Sequence, residues 1–179
     1  MLEELGITYA LGGSLAATFF GEPRSTMDID VAIEVDSDAG EDLLRRAAAE
    51  FVVPIESARH AVRTRGSFNL LSAEGGMKID LFVLGHSLLD RRQIERRVRI
   101  AVPGAPDGIW VTSPEDQVLR KLSWYRSGGS VSDRQWRDVL GIMRGQGEAL
   151  DVDDLRATAR QVDLTDLLER ALDEISRIA

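Results

Sequence analysis

Three short stretches decide how this chain is read: Leu11-Gly12-Gly13-Ser14-Leu15, Thr26-Met27-Asp28-Ile29-Asp30-Val31-Ala32-Ile33-Glu34-Val35, and Lys78-Ile79-Asp80-Leu81-Phe82-Val83-Leu84. In the second, acids and apolar residues alternate, which is the period of a strand. The third is an apolar run around one acid. Ile7-Thr8-Tyr9-Ala10-Leu11 ahead of the first reads as a strand that ends at the glycine pair. Ser14 then caps a short helix, because its hydroxyl can accept from a backbone amide that lacks a helical partner. Gly21 and Pro23 end that helix.

Outward from these stretches, residues 37–51 read as a helix with Leu43, Leu44, Ala47 and Ala48 as its apolar stripe. Phe51–Ile55 reads as another strand. Residues 67–72 and 78–84, joined by Glu74-Gly75-Gly76, read as a β-hairpin. Residues 87–97 are helical, and 98–102 and 109–111 are short strands around Pro103-Gly104-Ala105-Pro106. After Val111 the character changes. Ser113-Pro114-Glu115-Asp116 is a helix start, with a serine cap, proline at the first position and two acids. Helices follow over 114–125, 133–144, 151–160 and 164–178, with a break at Ser127-Gly128-Gly129-Ser130. Trp124, Tyr125 and Trp136 sit at helical spacing among leucines and valines and read as core. The expected fold class is α/β (α+β): a half of strands and flanking helices over 1–112, then a helical region over 113–179 packed on it. No internal repeat, low-complexity tract or long linker separates independent domains.

Composition narrows the chemistry. The 179 residues are 44% hydrophobic, enough for a real core in one domain with a helical appendage. There is no cysteine, which excludes disulfides, thiolate zinc sites and cysteine nucleophiles. Two histidines, His60 and His86, cannot build a histidine cage, and neither is assigned a role. Any metal site is therefore oxygen-based and suits Mg2+, Mn2+ or Ca2+. No apolar run reaches the ~18 residues of a membrane span. The start, Met1-Leu2-Glu3-Glu4, lacks the basic residues of a secretory signal, so the cytoplasm is the expected compartment. The net charge of −8 disfavours a broad grip on nucleic acid. Charge is uneven, however: Arg91, Arg92, Arg96, Arg97 and Arg99 face only Glu95, whereas 148–179 is acidic. Each run reads first as a solvated helix face.

The acids carry the chemistry. Side chains alternate along a strand, so Asp28 and Asp30 share a face, ~6.6–6.8 Å apart. Two such carboxylates can bridge ions ~3.5–4 Å apart, and Asp80 on a neighbouring strand supplies a third ligand from the same face. Acids among apolar neighbours are costly unless a cation meets them. Magnesium prefers one or two carboxylates plus water and substrate phosphate. Gly12-Gly13 lets the backbone approach a ligand closely, and a helix start beyond it favours an anion such as a triphosphate.

The ordered set Gly12-Gly13-Ser14, Arg24-Ser25-Thr26, Asp28-Ile29-Asp30 and Asp80 resembles the signature of the nucleotidyltransferase superfamily with the DNA-polymerase-β-like fold. It is most similar to the minimal branch that includes the abortive-infection nucleotidyltransferase toxins of toxin–antitoxin systems. Ser113-Pro114-Glu115-Asp116, Lys121 and Asp138 also look like that branch, and the resemblance covers roughly residues 7–145. The family usually carries a full helix before the first strand, whereas only Met1–Gly6 precede it here, and the chain is short next to the toxins. The resemblance implies transfer of a nucleoside monophosphate from a nucleoside triphosphate (NTP) to an acceptor hydroxyl, with Mg2+ or Mn2+. It implies Asp28, Asp30 and Asp80 as metal ligands and catalytic acids, with Asp80 also able to take the acceptor's proton. Gly13, Ser14, Arg24, Lys121 and Asp138 become nucleotide-binding residues. An RNA or tRNA end, a protein or a small molecule is the acceptor, and an antitoxin is a partner. A non-catalytic nucleotide-binding regulatory protein on the same fold is the alternative.

Overall fold

The computed structural model describes residues 1–23 and 25–178. Its contacts divide into two compact units. The first comprises Met1–Leu15 and Ser25–Thr112, and the second Ala16–Arg24 and Ser113–Ala179.

The first unit is built on a seven-stranded mixed sheet. In chain order the strands are β1 (Thr8–Leu11), β2 (Asp28–Glu34), β3 (Phe51–Val52), β4 (Ser67–Ser72), β5 (Lys78–Val83), β6 (Val98–Val102) and β7 (Ala105–Val111). In space they run β3-β4-β5-β2-β1-β7-β6. This is the mixed sheet that the resemblance to the nucleotidyltransferase superfamily implies. β2 pairs with β5 in parallel and with β1 antiparallel, so it lies in the interior of the sheet. Its downstream half is accordingly buried at Val31, Ala32 and Ile33. β4 and β5 form the expected hairpin. β6 and β7 form a second one, in which β7 begins four residues earlier than Ile109 and a bulge falls between Ile100 and Val102.

The helices of this unit are α2 (Ser37–Ala47), α3 (Ile55–Thr64) and α4 (Leu88–Glu95), while α1 (Gly13–Phe20) follows β1. Asp36 caps α2 by accepting from the Ala39 amide, and α2 buries Leu43, Leu44 and Ala47. It ends before Phe51, shorter than its apolar pattern suggests. α3 has no counterpart in the sequence reading, which places a strand over Phe51–Ile55; only Phe51 and Val52 pair. α3 packs against α2, and they approach so closely that a Cβ on Gly40 would stand 2.7 Å from Val62 Cγ1. Ser87 and Asp90 form a reciprocal capping box at the start of α4.

The second unit is helical: α5 (Pro114–Ser127), α6 (Asp133–Gln146), α7 (Val152–Gln161) and α8 (Thr165–Ile178), with a short 3-10 turn at Gly147–Ala149. Ser113 caps α5 through the Asp116 amide, with Pro114 opening the helix as its sequence predicts. Leu119, Leu122, Val139, Ile142, Leu155 and Leu168 are fully buried. Tyr125 and Trp136 are core residues with ring centroids 5.2 Å apart, and Trp136 donates its indole N–H to Glu174. Residues 16–23, read with the α/β half in the sequence, cluster with these helices. Glycines explain why: a Cβ on Gly21 would lie 2.6 Å from the Gly141 carbonyl carbon, and one on Gly145 would lie 2.2 Å from the Phe20 oxygen.

α7 and α8 are clipped by Arg156, whose Nε donates to Glu169 at 2.8 Å. That hydrogen bond holds the Glu169 carboxyl below its ordinary value of 4.5. A depressed folded-state pKa contributes stability above the ordinary value, and that stability is lost as pH falls through the lowered one. Arg156→Ala should therefore lower the melting temperature slightly at pH 7, and by less at an acidic pH below the ordinary carboxylate range, as Glu169 takes up its proton in the folded chain. Thermal melts of both proteins at the two pH values check this. An equal difference at both would assign the effect to packing of the arginine stem.

Candidate active site

The site begins where β1 ends. Gly13 has φ +62, a left-handed conformation that only glycine adopts at little cost. The Gly12 amide donates to the Asp30 carbonyl at 2.8 Å, tying the turn to β2. The fit is close on the side-chain face too: a Cβ on Gly13 would stand 1.8 Å from Asp30 Oδ2. Helix α1 starts at Gly13, so Ser14 lies in its first turn rather than at the cap position the sequence suggests. Ser14 is buried.

Gly13→Ala should be damaging in two ways. A left-handed alanine costs about 1–2 kcal/mol, and the clash with Asp30 adds to it. Gly75 has φ +81 but open space around it, so Gly75→Ala carries the backbone strain alone. Thermal melts should show a larger loss for Gly13→Ala. Equal losses would show that the Asp30 contact is easily relieved.

The β2–β5 register sets the acids. Asp28 is opposite Lys78, and Asp30 is opposite Asp80, in parallel strands. Opposed residues in adjacent strands face the same way, and i and i+2 share a face, so Asp28, Asp30, Lys78 and Asp80 lie on one side of the sheet. The Lys78 ammonium is 2.8 Å from Asp80 Oδ2 and 3.5 Å from Asp28 Oδ1. The Asp80 carboxylate, accepting from it, holds the ammonium above its ordinary pKa. Asp80 is the more enclosed acid, its side chain 15% exposed against 48% for Asp28. Beside Asp28 and Lys78 opens a groove with Met27, Leu71 and Met77 on its wall.

Among the described residues, no three carboxylates or histidines are gathered as they stand tightly enough to cage a metal ion. The donor chemistry nevertheless suits one. Asp28 and Asp80 already share a single cation, the Lys78 ammonium, and Asp30 lies in register beside Asp80. Two carboxylates that meet on one cation, with room for water and phosphate, match the habit of magnesium.

Lys121 and Asp138 lie in the helical unit. Lys121 Nζ is 2.7 Å from Asp138 Oδ2, and the lysine side chain is 1% exposed. Gln135 Oε1 also accepts from it, at 3.4 Å. Asp138 borders a cleft of that unit with Glu22, Arg134 and Arg137. Arg24 lies outside the described residues. The arginine run 91–99 is divided between α4, the turn after it and β6. Arg97 and Arg99 lie over the Trp110 ring, at 4.6 and 5.0 Å from its centroid. Arg99 also pairs with Glu3 at 3.1 Å.

The sequence reading attaches no role to Lys78. The signal was present: two residues before Asp80 on the same strand, it must share that acid's face.

A model of the nucleotidyl transferase AbiEii toxins, from type IV toxin–antitoxin systems, matches residues 2–178. The chain belongs to this family. It is therefore an enzyme of the nucleotidyltransferase class, in a toxin–antitoxin family. No curated protein matches it. Among solved structures, it is similar to an antigenic nucleotidyltransferase-like protein from Paracoccidioides brasiliensis. The two are 20% identical with a TM-score of 0.54, over 94% of this chain and 87% of that one. It is also similar to the antibiotic-resistance factor ANT(2'')-Ia in solution, 12% identical with a TM-score of 0.53, over 99% of this chain and 92% of that one. At these identities the likeness is one of fold, and it agrees with the mixed sheet and flanking helices of this AbiEii-family chain. Among the described residues, no helix is long and apolar enough to cross a membrane.

Proposed function

We propose that this AbiEii-family protein is a metal-dependent enzyme that moves a nucleoside monophosphate from an NTP to an acceptor hydroxyl. The observation that carries the reading is the β2–β5 register, which puts Asp28, Asp30 and Asp80 on one face while Asp30 packs on the Gly13 turn. The acceptor oxygen forms a bond to the α-phosphorus, the bond from that phosphorus to the bridging oxygen breaks, and pyrophosphate leaves. Asp28, Asp30 and Asp80 hold Mg2+ or Mn2+. When bound, the ion neutralises phosphate charge and acidifies the acceptor hydroxyl. Asp80, the more enclosed of the two acids that share Lys78, receives the acceptor's proton. The Gly13 turn and Ser14, at the amide end of α1, hold the terminal phosphates. What remains for the protein is placement and fixed charge.

Lys121 is held by Asp138 inside the helical unit, and its first role is to join α5 to α6. The acceptor is the hydroxyl of an RNA end, a protein or a small molecule. The partner implied by the family is an antitoxin. The test is to incubate the protein with Mg2+, each labelled NTP in turn, and total cellular RNA and protein, and then to resolve the fractions. Label in one fraction, dependent on Asp28 and Asp80, is expected. Nucleotide binding without transfer to any fraction would instead indicate a regulatory binding protein on the same fold.

A further inference from the structure

Lys78 is placed where a metal-binding face is least expected to carry a cation. It opens β5, directly across from Asp28, and two residues before Asp80. Its ammonium is 2.8 Å from one acid and 3.5 Å from the other. Asp80, 15% exposed, is costly to leave without a counter-charge, and Lys78 supplies it. A divalent ion held by the same two carboxylates would lie within a few ångströms of the ammonium. The two cations compete for the same oxygens.

We propose that Lys78 is a built-in counter-cation that competes with the divalent ion for Asp28 and Asp80, so that the ion binds weakly until a triphosphate supplies further oxygen ligands. The proposal rests on the metal-dependent reading above. Two features make the exchange feasible. The Lys78 side chain is 37% exposed and ends a flexible four-carbon stem, so it can withdraw to water. Upstream, Gly75 and Gly76 have positive φ and nothing within 4 Å of a Cβ, so that turn does not wall it in. A triphosphate arriving with the ion gives the displaced ammonium another anion to meet. Lys78 is thus a positioning residue: it keeps Asp28 and Asp80 aimed at a common point and couples ion binding to nucleotide binding.

The test is Mn2+ binding by the full chain, read from the electron paramagnetic resonance signal of free Mn2+, with and without a non-hydrolysable ATP analogue. Displacing the ammonium from a part-exposed ion pair costs the incoming ion a factor of up to about five in affinity. Lys78→Met should therefore bind Mn2+ up to about fivefold more tightly than the unaltered protein without nucleotide, and the gap should narrow when the analogue is present. Lys78→Arg, which keeps the charge, should stay weak. Lys78→Gln serves as a second neutral variant, and melting curves confirm folding. Equal or weaker Mn2+ binding by both neutral variants overturns the proposal while leaving the metal site standing. Tight binding that survives Asp80→Asn also overturns it, since the ion then lies elsewhere. No Mn2+ binding by any of the proteins, with or without the analogue, overturns the metal-dependent reading itself.

Discussion

Asp80→Asn is expected to cut label transfer about a thousandfold while leaving the sheet folded. Asparagine keeps the shape of aspartate, and the backbone pairs of Asp80 with Asn69 on one side and Asp30 on the other do not involve its side chain. What is lost is one negative charge, at the more enclosed of the two acids that share Lys78. In an active site where catalysis is mostly fixed charge, removing one such group costs about 10²–10³ in rate. Asp80 is also the proton acceptor in the proposed reaction, so the upper end is expected. The melting temperature should move by no more than about 4 °C, because the Lys78 ammonium left behind is 37% exposed and can turn to water. Asp28, 48% exposed, should show a smaller effect on folding still. The measurement is transfer of labelled nucleotide by the variant, beside its melting curve. An Asp80→Asn protein that folds and retains more than about a tenth of the transfer would remove this acid from the chemistry.

That experiment depends on a register that one-dimensional patterns reveal only in part. Strand β2 is legible because apolar residues recur around Asp28 and Asp30 with a strand's period, and β5 because Asp80 lies in a short apolar run bounded by a glycine turn. Their adjacency is not, since the order in which strands pair is decided by crossovers through helices. Lys78 illustrates the consequence. Its partner Asp28 lies fifty positions away, and only the parallel register makes them neighbours. The α5 start was legible for the opposite reason, because a cap is a local device: Ser113, Pro114 and Asp116 act within one turn.

α3 lacked every such device. Its buried stripe is Ala58, Ala61 and Val62, too small to register as a hydrophobic face. Its N-cap is Pro54, with no side-chain hydrogen bond, and its end is Arg65, left-handed at φ 53, where glycine would have marked a stop. Residues 16–23 group with the helices through backbone contacts at Gly21 and Gly145, and a glycine in a sequence does not say what approaches it.

Lys121 had a signal that could be read. Val118, Lys121, Leu122 and Tyr125 follow i, i+3, i+4 and i+7, which puts the lysine in the apolar stripe of α5. Such a lysine needs a buried acid, and Asp138 on α6 provides it at 2.7 Å, with the two side chains 1% and 8% exposed. Breaking this pair is the largest stability effect expected in the molecule. Asp138→Ala leaves an ammonium buried without its carboxylate, and Lys121→Met leaves the carboxylate without its ammonium. Each should cost about 3–5 kcal/mol. At this chain length, that corresponds to a fall in melting temperature of about 6–20 °C. Lys121→Met combined with Asp138→Leu removes both charges and should recover most of the loss, because the desolvation cost of the pair disappears with it. Melting curves of the two single variants and the double variant form the test. A single variant that melts within about 2 °C of the unaltered protein would mean that water or another group reaches the stranded charge. Label transfer by the restored double variant then separates the two roles of the pair. Retained transfer assigns it to anchoring α5 on α6, and lost transfer in a stable protein assigns Lys121 to the triphosphate.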